Sequence, residues 1–252
     1  MAATLRQVTE DELRQRLVGR ARLFSVEAQH GELADTSAEE LVLRDCRFTD
    51  MNFSRVDWRG VRCTGTTFIR CKFAGAKMEG ATFKRCIFAD DDATGSADFT
   101  GASLRFSTFA DCVLDGCVFE RADLTGWTLR DSRAIGGKFH QAEFAGSATL
   151  TGNALRYADL RDAKLAHCDC SRNDCEWAVL DGADFEEANL RETSFNRASV
   201  RLANFNGADL RNAVIGSFDL RQTSLRRAMI HESQMRALLE SFELVIVPDD
   251  HV

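Results

Sequence analysis

The chain has 252 residues, enough to bury a large core, and a formal net charge of −7 that argues against general nucleic-acid binding. It contains one proline, and 18 phenylalanines stand against one tyrosine, which suggests interior sites that tolerate no hydroxyl group. The N-terminus lacks the apolar run of a signal peptide, and no segment is apolar enough to span a bilayer. We therefore expect a cytoplasmic protein that does not enter membranes.

The first 40 residues predict a cap at the N-terminal end of the fold. Residues 9–12 (TEDE) have the form of a capping box, in which the threonine begins a helix and the second glutamate reaches back to it. Leu13 and Leu17 then lie four residues apart on one face of that helix. Residues 23–26 indicate a short strand. The segment 1–40 is thus predicted to cover the exposed edge of whatever repeats follow.

From residue 41 to residue 232 the sequence repeats every five residues. Residues 178–192, for example, read AVLDG, ADFEE, ANLRE, with a small residue first and a large apolar residue third. Such a period predicts a repeat fold that turns a corner every five residues, with the first and third residues facing inward. One extra residue interrupts the frame within 89–98 and another within 146–148, so we predict interruptions of one residue only.

The nine cysteines all fall at inward positions of this period, so we interpret them as core residues with free thiols. The alternative is a metal site at Cys168, Cys170 and Cys175 with His167. Spacings of two and five do not match the paired zinc motif, and His167 lies at an outward position. The sequence also lacks the zincin, nucleophile-elbow, P-loop and dinucleotide motifs. We predict no metal, no cofactor, no catalytic residue and no enzymatic activity.

The period ends after Ile230, and residues 233–252 predict a helix followed by a short strand. Ser233 is a candidate N-cap for a helix that reaches residue 242, and residues 244–247 form a β run before Pro248. This segment either caps the last repeat or, because it carries more apolar surface than a cap needs, forms a homodimer interface. The candidate dimer residues are Met235, Leu238, Leu239, Phe242, Leu244 and Ile246.

The five-residue period resembles that of the pentapeptide repeat proteins, whose motif is a small residue, Asp or Asn, Leu or Phe, a polar residue and a variable one. Residues 158–162 (ADLRD), 183–187 (ADFEE) and 208–212 (ADLRN) match it fully. The resemblance implies an all-β solenoid, a right-handed quadrilateral β-helix of about nine coils with four pentapeptides per coil. At roughly 4.8 Å per coil the rod would be about 44 Å long.

The helix-then-strand tail is similar to that of the quinolone-resistance branch of this family, which dimerises through it and projects longer loops from its rod. That resemblance implies a rod that imitates DNA, binds DNA gyrase or topoisomerase IV, and protects the enzyme from poisons. The alternative is a protein-interaction scaffold or adaptor unrelated to topoisomerases. Neither hypothesis includes direct nucleic-acid binding.

Charge is distributed unevenly along the repeats. Residues 43–88 carry ten basic and four acidic side chains, residues 89–150 carry five and ten, and residues 151–252 carry twelve and seventeen. An acidic, DNA-like surface is therefore confined to the middle and C-terminal coils. Three consecutive aspartates within the first interruption could attract a cation, but a solvated loop is the interpretation we favour. The candidate partner-binding residues are Asp90, Asp91, Asp92, Asp184, Glu186 and Glu187.

Overall fold

The structure is a computed structural model, and it describes residues 5–17, 21–38, 40–91, 95–146, 148–215, 218–219 and 221–240. No helix in these residues is long and apolar enough to cross a membrane. The helices and strands are β1 Arg6–Gln7, α1 Glu10–Arg16, β2 Arg22–Phe24, β3 Val26–Gln29, β4 Val42–Arg44, β5 Arg47–Thr49, β6 Arg62–Thr64, β7 Thr67–Ile69, β8 Thr82–Lys84, β9 Thr108–Ala110, β10 Thr128–Arg130, β11 Thr149–Thr151 and α2 Glu232–Glu240.

Two parallel sheets run along the molecule, because each strand pairs with a strand of the next coil. The seven-stranded sheet has the order β11-β10-β9-β8-β6-β4-β2, and the four-stranded sheet has the order β1-β3-β5-β7. Arg62 pairs with Thr82 in the first sheet. Arg47 pairs with Thr67 in the second. We call the side of the molecule that carries the seven-stranded sheet face 1, and the side that carries the four-stranded sheet face 2.

Isolated parallel bridges form two further ladders. Asn52 pairs with Lys72, and Asp57 pairs with Lys77. These ladders define face 3 and face 4, so the chain passes over faces 1, 2, 3 and 4 in turn within each coil and then returns to face 1. The predicted class, a four-sided β-solenoid with pentapeptide sides, is confirmed.

Each five-residue block supplies one side of a coil and then turns a corner. Phe53, at the centre of its block, is fully buried, whereas Asn52 before it is partly exposed. Arg55 begins the corner with a φ of 55°. The N–H of Val56 then donates to the carbonyl oxygen of Phe53 at 3.3 Å and closes the turn. Because side chains alternate along a strand, the small residue two before each centre also faces inward.

The stacked coils begin before residue 41. β2 pairs in register with β4, and isolated bridges carry the face 1 ladder beyond β11 to Met229. Counting both ends, the face 1 ladder has eleven stacked positions from β2 to Met229. These are separated by ten coil intervals, slightly more than the nine coils predicted. The extra coil was hidden because its block centres include Ala28 and Ala38 instead of Leu or Phe. At roughly 4.8 Å per coil the ladder is about 48 Å long.

The interruption at residues 89–98 adds six residues to one coil, so the prediction of a single extra residue is wrong here. Ile87 pairs with Val113, 26 positions on, whereas undisturbed coils pair at 20. The N–H of Ala97 donates to the carbonyl oxygen of Phe88 at 2.8 Å, the bond that closes an ordinary corner. The additional residues therefore leave the rod as a loop at the corner after face 2. Six is one more than five, so the loop shifts the five-residue frame by one only.

The second interruption is one residue, as predicted. Thr128 of β10 pairs with Thr149 of β11, 21 positions on. The nine cysteines are also confirmed as buried and free. Small thiols at corner positions allow neighbouring sides to approach, and apolar side chains fill the centre of the rod.

The two helices cover the ends of the rod. In α1 the predicted capping box is present, and the N–H of Glu12 donates to Oγ1 of Thr9 at 3.2 Å. In α2, Nε2 of Gln234 donates to the carbonyl oxygens of Leu210 at 2.8 Å and Ala213 at 2.7 Å, which ties the helix to the last coils. Leu238 is buried in the core. The predicted strand at 244–247 lies outside the described residues.

Candidate partner-binding surfaces

The described residues contain no group of three or more His, Cys, Asp or Glu side chains that could hold a metal ion. Cys168, Cys170 and Cys175, the alternative metal ligands, are all buried. Burial raises the pKa of Cys175 to about 12 and that of Cys71 to about 12, so these thiols stay neutral and are poor nucleophiles. Among the described residues, the accessible charged and aromatic side chains lie on the outer surface of the rod.

Asp90 and Asp91 lie in the six-residue loop, and Asp92 lies outside the described residues. Oδ1 of Asp90 accepts a hydrogen bond from the N–H of Gly95 at 2.8 Å, which ties the loop to itself. Its other oxygen lies 4.0 Å from Arg70. Arg70 also contacts Asp50 at 2.6 Å, and its guanidinium holds the pKa of that carboxyl below its usual value. The loop thus stands on a column of alternating charges along the corner after face 2.

Asp184, Glu186 and Glu187 lie on face 4 and its following corner, four coils away from the loop. Oδ1 of Asp184 accepts hydrogen bonds from the N–H of Glu186 at 3.1 Å and from Nδ2 of Asn204 at 2.9 Å. The carboxylate of Asp184 therefore stabilises the turn and the next coil. Glu186 and Glu187 are exposed. The structure does not bring the two predicted acidic groups together.

Face 4 is acidic over the coils from residue 123 to residue 187, and we call this stretch the acidic face. Its outward and corner positions carry five carboxylates and one lysine. Lys164 lies 3.2 Å from Glu143, and His167 lies 3.3 Å from Glu187. The acidic residues of this surface are Asp123, Glu143, Asp184, Glu186 and Glu187.

The remaining surface charge of the C-terminal coils is largely paired within single blocks. Arg211 lies 2.7 Å from Asp209, and Arg221 lies 3.0 Å from Asp219. Hydrogen bonds from Arg211 hold the pKa of Asp209 below its usual value. Neighbouring charges here largely cancel, which leaves the acidic face as the more strongly charged part of this region.

An exposed aromatic corner was not found from the sequence. The rings of Tyr157 and Trp177 are stacked, with centroids 6.4 Å apart and planes 10° apart. The guanidinium of Arg197 lies over the indole of Trp177 at 4.8 Å. Tyr157 is 56% exposed and Trp177 is 42% exposed. The recurrence of an aromatic side chain at corner positions one coil apart could have revealed this column, which we call the aromatic corner.

The candidate dimer residues divide between the core and the surface. Leu238 is 7% exposed and packs into the core, whereas Met235 is 48% exposed and Leu239 is half-buried. Phe242, Leu244 and Ile246 lie outside the described residues. Within α2, Leu238 therefore serves the cap, and Met235 is the candidate that faces solvent.

Solved structures of QnrB1, described as a plasmid-mediated fluoroquinolone resistance protein, are similar to this chain. A trypsin-treated variant is 28% identical over 84% of this chain and 100% of that chain, with a TM-score of 0.71. A second trypsin-treated variant is 27% identical over 80% and 99%, with a TM-score of 0.73. Full-length QnrB1 is 27% identical over 82% and 100%, with a TM-score of 0.71.

No curated protein sequence matches this chain significantly. The sequence profile of pentapeptide repeats matches residues 33–85, 97–133, 168–207 and 203–237, with eight copies. These segments span more than half of the chain, and they agree with the stacked coils of the structure. The chain therefore belongs to the pentapeptide repeat family.

Proposed function

We propose that this chain is a non-enzymatic, protein-binding rod that binds a type II topoisomerase, with DNA gyrase as the first candidate, and protects it from fluoroquinolones. The observation that carries the proposal is the likeness to QnrB1, a fluoroquinolone resistance protein, over the whole length of that protein. The buried thiols and the apolar core support a role in binding rather than catalysis.

The acidic face supports the DNA-mimic form of this proposal. A partner that holds the phosphates of DNA presents cations, and the five carboxylates of the acidic face lie on a rigid surface at a spacing set by the coils. The six-residue loop supports it as well, because it replaces a regular corner beside the flat faces of the rod with a longer segment. The topoisomerase is thus proposed to contact the acidic face and the loop.

The first experiment is a supercoiling assay with purified gyrase, with and without a fluoroquinolone. The chain is expected to inhibit supercoiling at high concentration and to reduce drug-induced cleavage at lower concentration. No inhibition together with no protection would contradict the proposal.

A matched pair of variants tests the acidic face. Glu187 and Glu192 are both exposed glutamates at corner positions with φ of 52° and 61°, one block apart. Glu187→Lys reverses a charge on the acidic face, whereas Glu192→Lys makes the same change at the corner after face 1. We expect Glu187→Lys to weaken inhibition several-fold and Glu192→Lys to leave it near the parent value. If both variants lose inhibition equally, the effect depends on net charge alone and not on the position of the charge.

A deletion tests the loop. Removal of residues 89–94 leaves Gly95 and Ser96 to form the corner between Phe88 and Ala97, and the carbonyl oxygen of Gly95 already accepts the N–H of Arg70 at 2.8 Å. The deletion therefore returns this coil to the ordinary length without disturbing the stacked coils. We expect it to retain the parent unfolding midpoint and to lose protection against the drug. Full protection by the deletion variant would exclude the loop as a contact.

Dimerisation through the C-terminal segment is part of the proposal. The exposed Met235 of α2 and the apolar residues Phe242, Leu244 and Ile246 that follow in the sequence supply the surface. Sedimentation velocity at micromolar concentration should show a dimer, and Met235→Lys should shift it toward monomer. A 28.1 kDa monomer in the parent protein would contradict this part.

The second candidate function is a protein-interaction scaffold unrelated to topoisomerases. The aromatic corner favours it, because exposed Tyr and Trp side chains beside an arginine are the residue types enriched in protein interfaces. Tyr157→Ser with Trp177→Ser separates the two candidates. If this double variant inhibits gyrase as strongly as the parent protein does, the aromatic corner binds a partner other than the topoisomerase. If inhibition is lost, the aromatic corner is part of the topoisomerase contact.

A further inference from the structure

The outward positions of the seven-stranded sheet on face 1 contain no acidic residue, although the chain has seven more acids than bases. The first and third residues of each strand occupy the outward positions, fourteen from β2 to β11, and all of them except the buried Ala110 are accessible. Five are cationic and six are threonine, and we call this surface the cationic sheet. Its cations are Arg22, Arg44, Arg62, Lys84 and Arg130, and its threonines are Thr64, Thr82, Thr108, Thr128, Thr149 and Thr151.

Four of these cations form no ion pair with any residue that the structure describes, and all four are exposed. They are Arg22, Arg44, Arg62 and Lys84. Arg44 lies over the ring of Phe24 at 5.9 Å, which leaves its charge available. Arg130 alone reaches a carboxylate, at 3.4 Å from Asp131. By contrast, arginines such as Arg211 in the C-terminal coils are neutralised by an aspartate in the same block.

The threonines continue the surface along the rod in register. Thr82 pairs with Thr108, Thr108 with Thr128, and Thr128 with Thr149, so their hydroxyl groups stand in one column at intervals of roughly 4.8 Å. Acidic residues lie at the margins of this surface, at corner positions and one coil beyond its end, where Asp169 pairs with Thr149. A flat strip of cations and hydroxyl donors thus extends over six coil intervals, or about 29 Å.

We propose that the cationic sheet binds the sugar–phosphate backbone of nucleic acid without regard to sequence. Arg, Lys and Thr side chains are the donors that proteins use for phosphate oxygens, and the strip carries no Asn or Gln to read base edges. Its length matches about eight base pairs of duplex. A protein partner would need apolar or aromatic anchors, and the strip offers only Phe24 at its N-terminal end and Val42 beside it.

The negative net charge does not prevent this contact, because the fold separates charges by face and by coil. Most of the acidic face, namely Asp184, Glu186 and Glu187, lies nearly five coils beyond Lys84, or roughly 23 Å along the rod, and its nearest member, Asp123, is paired with Arg105 at 3.0 Å. Exposed charges at that distance are screened at about 0.1 M salt, where the Debye length is roughly 10 Å. The prediction of no direct nucleic-acid binding was based on the net charge of the chain and not on how the charges are arranged.

The test is fluorescence anisotropy with the full chain and a fluorescein-labelled random-sequence DNA duplex of about 20 base pairs, a length that exceeds the strip. Four phosphate contacts predict that affinity falls roughly 100-fold between 50 mM and 200 mM salt. Arg62→Thr with Lys84→Thr should weaken binding at 50 mM salt at least tenfold and reduce the logarithmic salt slope by about 2. Both side chains are exposed and have no ion-pair partner among the described residues, so the unfolding midpoint should stay at the parent value.

A second double variant provides the matched control. Arg201→Thr with Arg226→Thr removes the same charge from exposed positions on faces 3 and 4 of the C-terminal coils and should change duplex affinity less than twofold. Three results would overturn the proposal. They are no duplex binding at 50 mM salt, equal weakening by both double variants, and binding of poly-glutamate without binding of duplex, which would assign the strip to an acidic protein.

Discussion

Two regions of the rod fill their core with different side chains. One comprises the coils between Phe48 and Phe144, and the other the coils between Leu150 and Leu180. On face 3 of the first region, the rings of Phe73, Phe99 and Phe119 stack at 5.0 and 4.9 Å with planes 6° and 3° apart. The second region has Leu and Cys at its centres, and aromatic stacking in the core resumes only at Phe185. We call these regions the aromatic coils and the leucine–cysteine coils.

Two features characterise the leucine–cysteine coils. An apolar void of about 10 Å³ lies among their side chains. Beside it, the buried Nδ2 of Asn173 donates to the carbonyl oxygens of Leu150 at 2.7 Å and Cys170 at 2.8 Å. Oδ1 of Asn173 accepts the N–H of Asn153 at 2.9 Å. Stacked rings hold the coil spacing in one region, and a buried asparagine ladder holds it in the other.

Alkaline pH is expected to have the largest effect and to act on both regions. Burial raises the pKa of Cys71 in the aromatic coils to about 12, and in the leucine–cysteine coils it raises that of Cys168 to about 11 and that of Cys175 to about 12, from an ordinary 9.0. Below pH 9 these thiols are neutral in both states. Above pH 9 the unfolded chain releases protons that the folded chain keeps, so stability falls as pH rises toward 12.

Proton release from these three thiols in the unfolded chain should make the free energy of unfolding about 4 kcal/mol smaller at pH 10 than at pH 8. Urea unfolding at pH 8, 9 and 10 measures the loss. Cys71→Ala and Cys175→Ala should each reduce the slope with pH by a similar amount, because both thiols are buried to the same degree in their regions. If neither variant changes the slope, groups other than these thiols cause the pH dependence of stability.

Truncation of a core side chain sharpens the comparison directly. Phe99 and Leu160 occupy the centre of face 3 in the two regions, and both are almost fully buried. Phe99→Ala should cost about 4 kcal/mol and Leu160→Ala about 3 kcal/mol, because the first also removes two ring stacks. Denaturant titrations of both variants measure the difference. A larger cost at Leu160 would show that ring stacking does not make the aromatic coils the more tightly coupled region.

Removal of the asparagine ladder tests the second device. Asn173→Ala leaves the buried carbonyl oxygen of Leu150 and the buried N–H of Asn153 without partners and should cost about 2 kcal/mol, whereas the carbonyl oxygen of Cys170 still accepts from Oγ1 of Thr193 at 2.8 Å. Thr66 occupies the same corner column in the aromatic coils, where its hydroxyl donates to the carbonyl oxygen of Thr64 at 3.3 Å. Thr66→Ala should cost about 1 kcal/mol. Equal costs, measured by the same titration, would mean that the ladder adds nothing beyond ordinary corner hydrogen bonds.

The smallest expected effect has opposite signs in the two regions. Cys170→Val fills part of the void and should raise stability by about 0.5 kcal/mol. Ala134 lies at a fully buried centre within the aromatic coils, and Ala134→Val should lower stability by about 1 kcal/mol through overpacking. Thermal unfolding of both variants measures the difference. The unfolding midpoint should rise for Cys170→Val and fall for Ala134→Val. A fall in both would show that the void is already closed to an added methyl group.

The sequence predicted the interior well and the surface poorly. The period placed Phe53, Phe99 and Leu160 inside, and it placed the cysteines there without any structural information. It did not reveal that Asn153 and Asn173 are buried, because polar residues at a small-residue position look like corner residues unless their hydrogen-bond partners are known. It also failed at the loop, since residues 89–94 shift the frame by the same amount as a single residue would.

The candidate surfaces depended on neighbours that are distant in sequence. Asp90 and Glu187 looked alike as acidic residues, yet they lie on different sides of the rod and four coils apart. Tyr157, Trp177 and Arg197 looked isolated, yet they form one column. The lengths of the individual coils decide which outward side chains meet, and a period of five does not specify those lengths.

The sequence by itself determined the alternation of inward and outward side chains, because every side of the coil must bury one large and one small residue. From this followed the solenoid, the buried thiols and the absence of long strands among the described residues. Only the tertiary structure decided how the outward residues are grouped. Stacking in register collects Arg22, Arg44, Arg62 and Lys84 on one sheet and the carboxylates of the acidic face on another side. A net charge of −7 sums over both surfaces and describes neither.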